Sequence, residues 1–485
     1  MNKEHWMKKI LFLIFIALCY MSCAEKDSWS ASPSLHLTFS RDTVAFDTLI
    51  STVPSSTKTL TVFNQNKNGL RISRISLGKG ADSPFRANVD GEFLYNGQGE
   101  DFQIYAKDSL MVRLEVTPPQ VGSSDTLSFK DYLEFQLESG VVQRVCLTAG
   151  ALDAYFVHGL VLRNDTTITS DKPFVVFDSL VVMPDVTLTL EPGTRLMFHD
   201  KAGLILHGNL QAIGTQDRPV VFRGDRTDRM FDNLPYDNTP SRWEGIRIHE
   251  TSKDNIFVNC DIHSGRYGIL CDSTSDLSTP TLYMENSVLH NIGGDGLQLN
   301  HVSAQFRNTQ ISNTLGTSVY IHGGHYLFLH CTIAQFYPFV AERGDALYMA
   351  NEVNGVYRDL HRCHFINSVI TGYGDDVIMG SISEGQDYQC DYLFQNCFLN
   401  TIASTDSTRF VGIVYDTDEL ETSHEKNFLR FDTDNFLYDF TPDSISPIRN
   451  IGTTDFLEEL PADRFGRSRQ ADGQPDAGCY EYIVP

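Results

Sequence analysis

Hydrophobic and polar positions alternate along most of this chain, but the way the runs are punctuated changes near residue 150. Before that point short runs alternate residue by residue and stop at turn residues. Thr57-Lys58-Thr59-Leu60-Thr61-Val62-Phe63 ends at Asn64-Gln65-Asn66-Lys67-Asn68-Gly69, and Leu70-Arg71-Ile72-Ser73-Arg74-Ile75-Ser76-Leu77 alternates again. Leu110-Met111-Val112-Arg113-Leu114-Glu115-Val116 stops before Pro118-Pro119, and 132–137 turns at Ser139-Gly140. Strict alternation predicts strands with one buried face, and several at this spacing predict a β-sandwich over residues 35–150.

Beyond residue 155 the pattern becomes one phrase repeated. Asn259-Cys260-Asp261-Ile262 returns as Asn286-Ser287-Val288-Leu289, Asn308-Thr309-Gln310-Ile311, His330-Cys331-Thr332-Ile333, Asn367-Ser368-Val369-Ile370 and Asn396-Cys397-Phe398-Leu399. The first positions are 27, 22, 22, 37 and 29 residues apart, a 22-residue coil with insertions. A unit of this size buries its apolar face only by stacking on its neighbours, so the pattern predicts a solenoid. One Asn per coil (His330 once), stacked about 4.8 Å apart, is expected to hydrogen-bond as a structural ladder. Hydrophilic segments at 224–242, 334–344, 352–362 and 402–450 read as inserted loops. The last is aromatic enough to act as a cap on the C-terminal end, where edge strands need cover.

Earlier phrases lead into the same pattern: Val186-Thr187-Leu188-Thr189-Leu190, Gly203-Leu204-Ile205-Leu206-His207-Gly208 and Trp243-Glu244-Gly245-Ile246. Together with the repeat they resemble right-handed parallel β-helix proteins, which implies that fold for residues 155–485. Asp463-Arg464-Phe465-Gly466-Arg467 and Pro475-Asp476-Ala477-Gly478-Cys479-Tyr480-Glu481 resemble the terminus common in those proteins. The order of runs from Leu60 to Pro119 resembles immunoglobulin-like domains of the Hydin and SPD-2 type, which implies a spacer or adhesion unit. The whole reads as all-β, a sandwich followed by a solenoid.

Charge narrows the partners. With 38 basic and 62 acidic residues the formal net charge is −24, which argues against nucleic acid as a partner. At the N-terminus Lys8-Lys9 precede the apolar run 10–18, a signal segment too short for a spanning helix. Ser22-Cys23 resembles the lipobox of bacterial lipoproteins; the resemblance implies cleavage after residue 22, lipid attachment at Cys23 and a tether over 23–34. The expected location is the bacterial outer membrane, with Glu25 and Asp27 resembling a surface-export signal, and the lipid anchor makes the membrane a partner. Cys260, Cys331 and Cys397 share a repeat slot with Ser and Thr, so they read as small buried fillers rather than disulfides.

Chemistry, if present, belongs on the turns. Counting nine from the repeat position gives Asp295, Thr317 and Asp376, and Gly344-Asp345-Ala346-Leu347 matches Gly294-Asp295-Gly296-Leu297. This predicts a column of carboxylates, Asp295, Asp345 and Asp376 with Asp375 beside it, flanked by Arg343, Tyr267 and Tyr348. Polysaccharide lyases and epimerases with this fold use such acids, often with calcium, and two nearby carboxylates can do glycosidic acid–base work. Gly-Asp is equally ordinary turn chemistry. No other cofactor is implied, and no zinc-type spacing, phosphate loop or nucleophile motif occurs. Two expectations follow. The chain is a non-catalytic surface module that binds polysaccharide or a surface protein, or it is a polysaccharide lyase or hydrolase acting through the turn carboxylates.

Overall fold

The computed structural model describes residues 28–169, 171–385, 389–416 and 426–483. The signal segment, Cys23 and the start of the tether lie outside the described residues. The described chain is all-β with long parallel sheets, and no helix in it is long and apolar enough to cross a membrane. It divides into two units, 28–121 with 126–152 and 122–125 with 153–483.

The first unit is two five-stranded sheets around a common core. One holds Thr38–Phe39, Lys58–Phe63, Ser109–Val116, Phe85–Val89 and Glu92–Phe93 in that order. The other runs Thr43–Ile50, Val142–Leu152, Leu127–Leu137, Leu70–Leu77 and Gln98–Ile104. Ser109–Val116 alternates exposed and buried at every position, so period two places Leu110, Val112, Leu114 and Val116 inside. They meet Ile72, Ile75, Leu133 and Phe135 of the facing sheet. Trp29, inside the segment read as a tether, is already part of this unit. Its ring covers Gly69, where any Cβ would come within 2.7 Å, and Arg71 lies 5.3 Å over it.

The second unit is a stack of coils. Its back sheet has ten parallel strands from Thr166–Ile168 to Phe410–Val411. An eighteen-stranded sheet divides after Phe174–Val182, which pairs with both Arg195–Phe198 and Leu204–Leu206. From there each coil contributes a strand to a front ladder (Cys260–His263, Val288–Ile292, Gln310–Thr314 and onward) and one to a side ladder (Ile269–Cys271, Leu297–Asn300, Val319–His322 and onward). Inside, identical residues stack: Phe306, Phe328, Phe365, Phe394 and Phe410 are separated by 4.6, 4.5, 5.0 and 5.1 Å.

The repeat position is a bend. φ is 50° at Asn259, 51° at Asn286, 47° at Asn308, 51° at His330, 50° at Asn367 and 51° at Asn396. This left-handed region is costly for most side chains and tolerated by Asn, whose short amide bonds locally. It turns the chain from back sheet to front ladder. The ladder expected along the column exists as two pairs, Asn308 Nδ2 to Asn286 Oδ1 at 3.0 Å and Asn367 Nδ2 to His330 Nε2 at 2.9 Å. The next slot takes a small donor. Ser287, Thr309 and Ser368 hydroxyls donate to the carbonyl two residues back at 2.8, 2.9 and 3.0 Å, and the thiols of Cys331 and Cys397 do the same at 3.6 and 3.3 Å. The eight described cysteines are free.

One inserted segment is placed differently from the reading of the sequence. Segment 402–450 opens with one more coil, Phe410–Val411 and Val414–Tyr415, in which Gly412 with φ 64° occupies the bend. Gly412→Asn is expected to leave stability within about 0.5 kcal/mol, whereas Gly412→Val should cost about 1–2 kcal/mol by forcing a β-branched residue left-handed; urea midpoints compare them. The rest of the C-terminal region lies along the flank of the stack rather than across its end. The hairpin Phe428–Asp432 and Leu437–Pro442 packs Phe431 and Phe440 on Phe336, and Asn233 of loop 224–242 reaches Asp434 at 2.9 Å. From Ile451 the chain runs back along the Asn edge. Asn396 donates to Ile451 O at 2.8 Å, Asn367 to Thr453 O at 2.9 Å, and Asn308 to Ala462 O at 2.9 Å. Buried Arg469 pairs with Glu481 at 2.5 Å and locks the end of this strap.

Candidate functional site

The positions of Asp295, Asp345 and Asp376 stack on successive coils, with Thr317 in the same column. Main-chain bonds link Gly268 N to Asp295 O, Gly296 N to Thr317 O and Ser318 N to Asp345 O on successive coils. Asp295 and Asp345 are therefore two coils apart, about 10 Å, with Thr317 between them. Asp295 Oδ1 accepts the Thr317 amide at 2.8 Å, and burial raises its carboxyl. Asp376 accepts the Thr401 hydroxyl at 2.7 Å and the Ile378 amide at 3.3 Å. Burial raises the Asp345 carboxyl, and neighbouring Asp376 adds to the shift. Asp345 and Asp376 are thus brought together; Asp375 is exposed beside them. Arg343 is not their partner. Its guanidinium donates to Tyr337 O at 2.7 Å and lies 4.3 Å over Tyr373. Tyr267 is half-buried over Gly245, where a Cβ would meet its carbonyl at 2.3 Å, so this ring is part of the close corner packing. Tyr348 leaves the corner altogether and stacks on Tyr320 at 5.2 Å on the outside of the side ladder.

That outer face carries the first concave feature. Inward aliphatics alternate with outward residues, and the residue after each strand points outward again. Register therefore aligns His207, His249, Asp272, Asn300 and His322 over successive coils. They line a cleft of about 710 Å³ whose far side is Val353, Asn354, Val356 and Arg358 of insertion 352–362. His207 stacks on His249 at 4.0 Å. His249 Nδ1 meets Asp272 Oδ2 at 3.0 Å, and Arg247 bonds both oxygens of Asp272 at 3.2 and 3.1 Å. His322 Nε2 faces Val356 O at 3.1 Å. Burial lowers both His249 and His322, so these rings are held neutral as hydrogen-bonding groups. The signal was present in Leu206-His207, Ile248-His249, Cys271-Asp272, Leu299-Asn300 and Ile321-His322, a polar residue after every inward one.

The second feature lies on the front ladder under loop 224–242. Register pairs His263 with His290 across adjacent coils, and Asp261 sits two residues before His263 on the same outer face. His263 Nδ1 is 2.8 Å from Asp261 Oδ1, and His290 Nε2 is 3.2 Å from the same oxygen. The other His263 nitrogen meets Asp237 Oδ1 of the loop at 3.3 Å, and Arg223 Nη1 holds Asp237 Oδ2 at 2.9 Å. Burial opposes charge on His263, yet Asp261 and Asp237 outweigh it and raise the ring to about 9. Burial likewise opposes charge on Asp261, but the two imidazoles hold it well below the usual carboxylate range. His290 also lines a crevice of about 270 Å³ walled by the hairpin residues Phe436, Leu437, Tyr438 and Phe440. No spacing in the sequence announced this group, because stacking brings together residues 27 apart. A third group, Asp472, Asp476 and Glu481, belongs to the strap, where Arg449 pairs with Asp472 and Arg469 with Glu481.

No family model matches the sequence, and no curated protein matches it. Among solved structures the chain is similar to a PapD-like (ASH) domain of human CEP192 at 10% identity, over 27% of this chain and 93% of that one, with a TM-score of 0.17. It is also similar to a protein of unknown function from Porphyromonas gingivalis W83 at 14% identity, over 27% of this chain and 60% of that one, with a TM-score of 0.17.

Proposed function

We propose that this chain is a lipid-anchored surface protein of the bacterial outer membrane, an immunoglobulin-like sandwich followed by a right-handed parallel β-helix, that binds glycan without cleaving it. The observation that carries the reading is the side-ladder face. It combines a polar cleft lined by imidazoles, an amide and a carboxylate with the stacked Tyr320 and Tyr348 rings on the same side ladder. Sugars need that pairing, hydroxyls to polar groups and apolar faces to rings. The corner carboxylates support catalysis less well, since Asp295 and Asp376 are committed to local donors and Arg343 is engaged elsewhere.

Purified protein on a glycan array is expected to retain a polysaccharide, and Tyr348→Ala should weaken it about tenfold, equivalent to ~1.4 kcal/mol. Release of reducing or unsaturated ends, lost in Asp345→Asn, would replace this reading with the lyase or hydrolase one. No retained glycan at any concentration would leave a protein partner as the alternative. The anchor is tested separately: a fatty-acid label is expected on the wild-type chain and absent from Cys23→Ala, and label on both would remove the lipoprotein assignment.

A further inference from the structure

We propose that Asp261, His263 and His290 form a site for a divalent transition-metal ion of the zinc type on the front ladder, beneath loop 224–242. One oxygen and two imidazole nitrogens, one from each ring, lie within 4.8 Å of one another. The Asp261 oxygen is 2.8 Å from His263 Nδ1 and 3.2 Å from His290 Nε2. Two ligand atoms on one tetrahedral ion with bonds of about 2.0–2.2 Å stand about 3.3–3.6 Å apart, so the side chains must spread by a few tenths of an ångström to admit the ion. The donor set selects the metal. Two imidazoles with one carboxylate suit zinc and its neighbours, whereas calcium and magnesium take oxygen.

The surroundings supply what a metal site needs beyond its ligands. A ligating imidazole is normally oriented by a carboxylate on its other nitrogen, and Asp237 stands at His263 Nε2 at 3.3 Å. Asp237 is itself fixed by Arg223, and the Ser264 hydroxyl donates to the Asp237 carbonyl at 2.5 Å, so the loop that brings it is pinned at that residue. Cys260 to His263 and Val288 to Ile292 are paired strands, which makes the ligands part of a rigid sheet rather than a loop. Three protein ligands leave one position for water or substrate. His290 is a quarter exposed and lines the neighbouring crevice, so that position is reached from there. Ligation needs neutral imidazoles and an ionised Asp261.

The test uses zinc alone on the purified full chain. After incubation with zinc chloride and dialysis, elemental analysis is expected to find about one zinc per chain, and added zinc should raise the melting temperature with dose. His290→Ala and Asp261→Asn should each lose the bound metal and the shift. Asp237→Asn should keep the stoichiometry and weaken affinity about 10–100-fold, as loss of an orienting carboxylate does. Asp472→Asn, in the strap cluster, should change neither. Wild-type protein that shows neither bound zinc nor a thermal shift overturns the proposal even if the variants fail to fold. So does zinc retained equally by His290→Ala, or a shift given as strongly by calcium.

Discussion

Arg469→Ala is expected to destabilise the second unit by about 3–5 kcal/mol, the range for removing one partner of a buried ion pair. The guanidinium is 0% exposed, and it joins three pieces of chain. Nη1 donates to Glu481 Oε1 at 2.5 Å, while Nη2 donates to Asn308 Oδ1 and to Gly478 O at 3.3 Å. Deleting it leaves the Glu481 carboxyl group, 1% exposed, without its charged partner. The cost should also depend on pH. Burial, with Asp476 adding to it, raises Glu481 to about 8 against the pull of Arg469. A carboxyl raised on folding contributes stability that is complete below its unfolded value near 4.5 and is lost as pH rises through the folded one. Without Arg469 the folded value climbs further, so the loss continues above pH 8. Urea midpoints should therefore separate more at pH 9 than at pH 6, with an unchanged slope. A penalty independent of pH would mean that Glu481 is not the group left exposed to the consequence. Arg469→Met with Glu481→Gln should recover part of the loss, because neither charge then remains to be buried.

The strap that Arg469 fastens was not legible in the sequence, although the column it fastens to was, and the contrast has a physical cause. Repeated features are written wherever one local demand recurs in every coil. The left-handed bend demands Asn, so Asn259 to Asn396 stand out; the following slot demands a small donor, so Cys, Ser and Thr interchange there. Gly412 satisfies the bend by having no Cβ and escapes a search for Asn, which hid the last coil. The Asp295 column was likewise readable as a register. Whether a register faces a groove depends on where insertions fold, and composition does not say that. Loop 224–242 crosses the front ladder and delivers Asp237 to His263; insertion 352–362 walls the side-ladder cleft instead. The histidine column could have been read by tracking the residue after each inward aliphatic. The Asp261 group could not, since it needs both the coil length and the path of an inserted loop.

The bend and the hydrogen bonds at one repeat position can be separated by substitution, and Asn367 is where the difference is largest. It is 0% exposed with φ 50°. Its amide donates to His330 Nε2 and Thr453 O, both at 2.9 Å, and its carbonyl oxygen accepts the Thr453 amide at 2.8 Å. Asn367→Val meets both penalties. A β-branched residue in the left-handed region costs about 1–2 kcal/mol, and the buried groups left unpaired together about 1–3 kcal/mol, so a total of about 2–5 kcal/mol is expected. Asn367→Gly keeps the bend and loses only the bonds, which should leave about 1–3 kcal/mol. Asn286→Gly provides the reference. Its side chain is half-buried and, among the described residues, bonds to Asn308 and Glu285, so about 1 kcal/mol or less is expected. The predicted order in urea is Asn286→Gly mildest, Asn367→Gly intermediate and Asn367→Val most severe. Equal losses for the two Asn367 variants would mean that the column is held by its side-chain bonds to the strap and that the bend is cheap. The left-handed torsion shared by all six positions, five of them Asn, argues the other way: the conformation is common to the column, while the strap contacts differ from coil to coil.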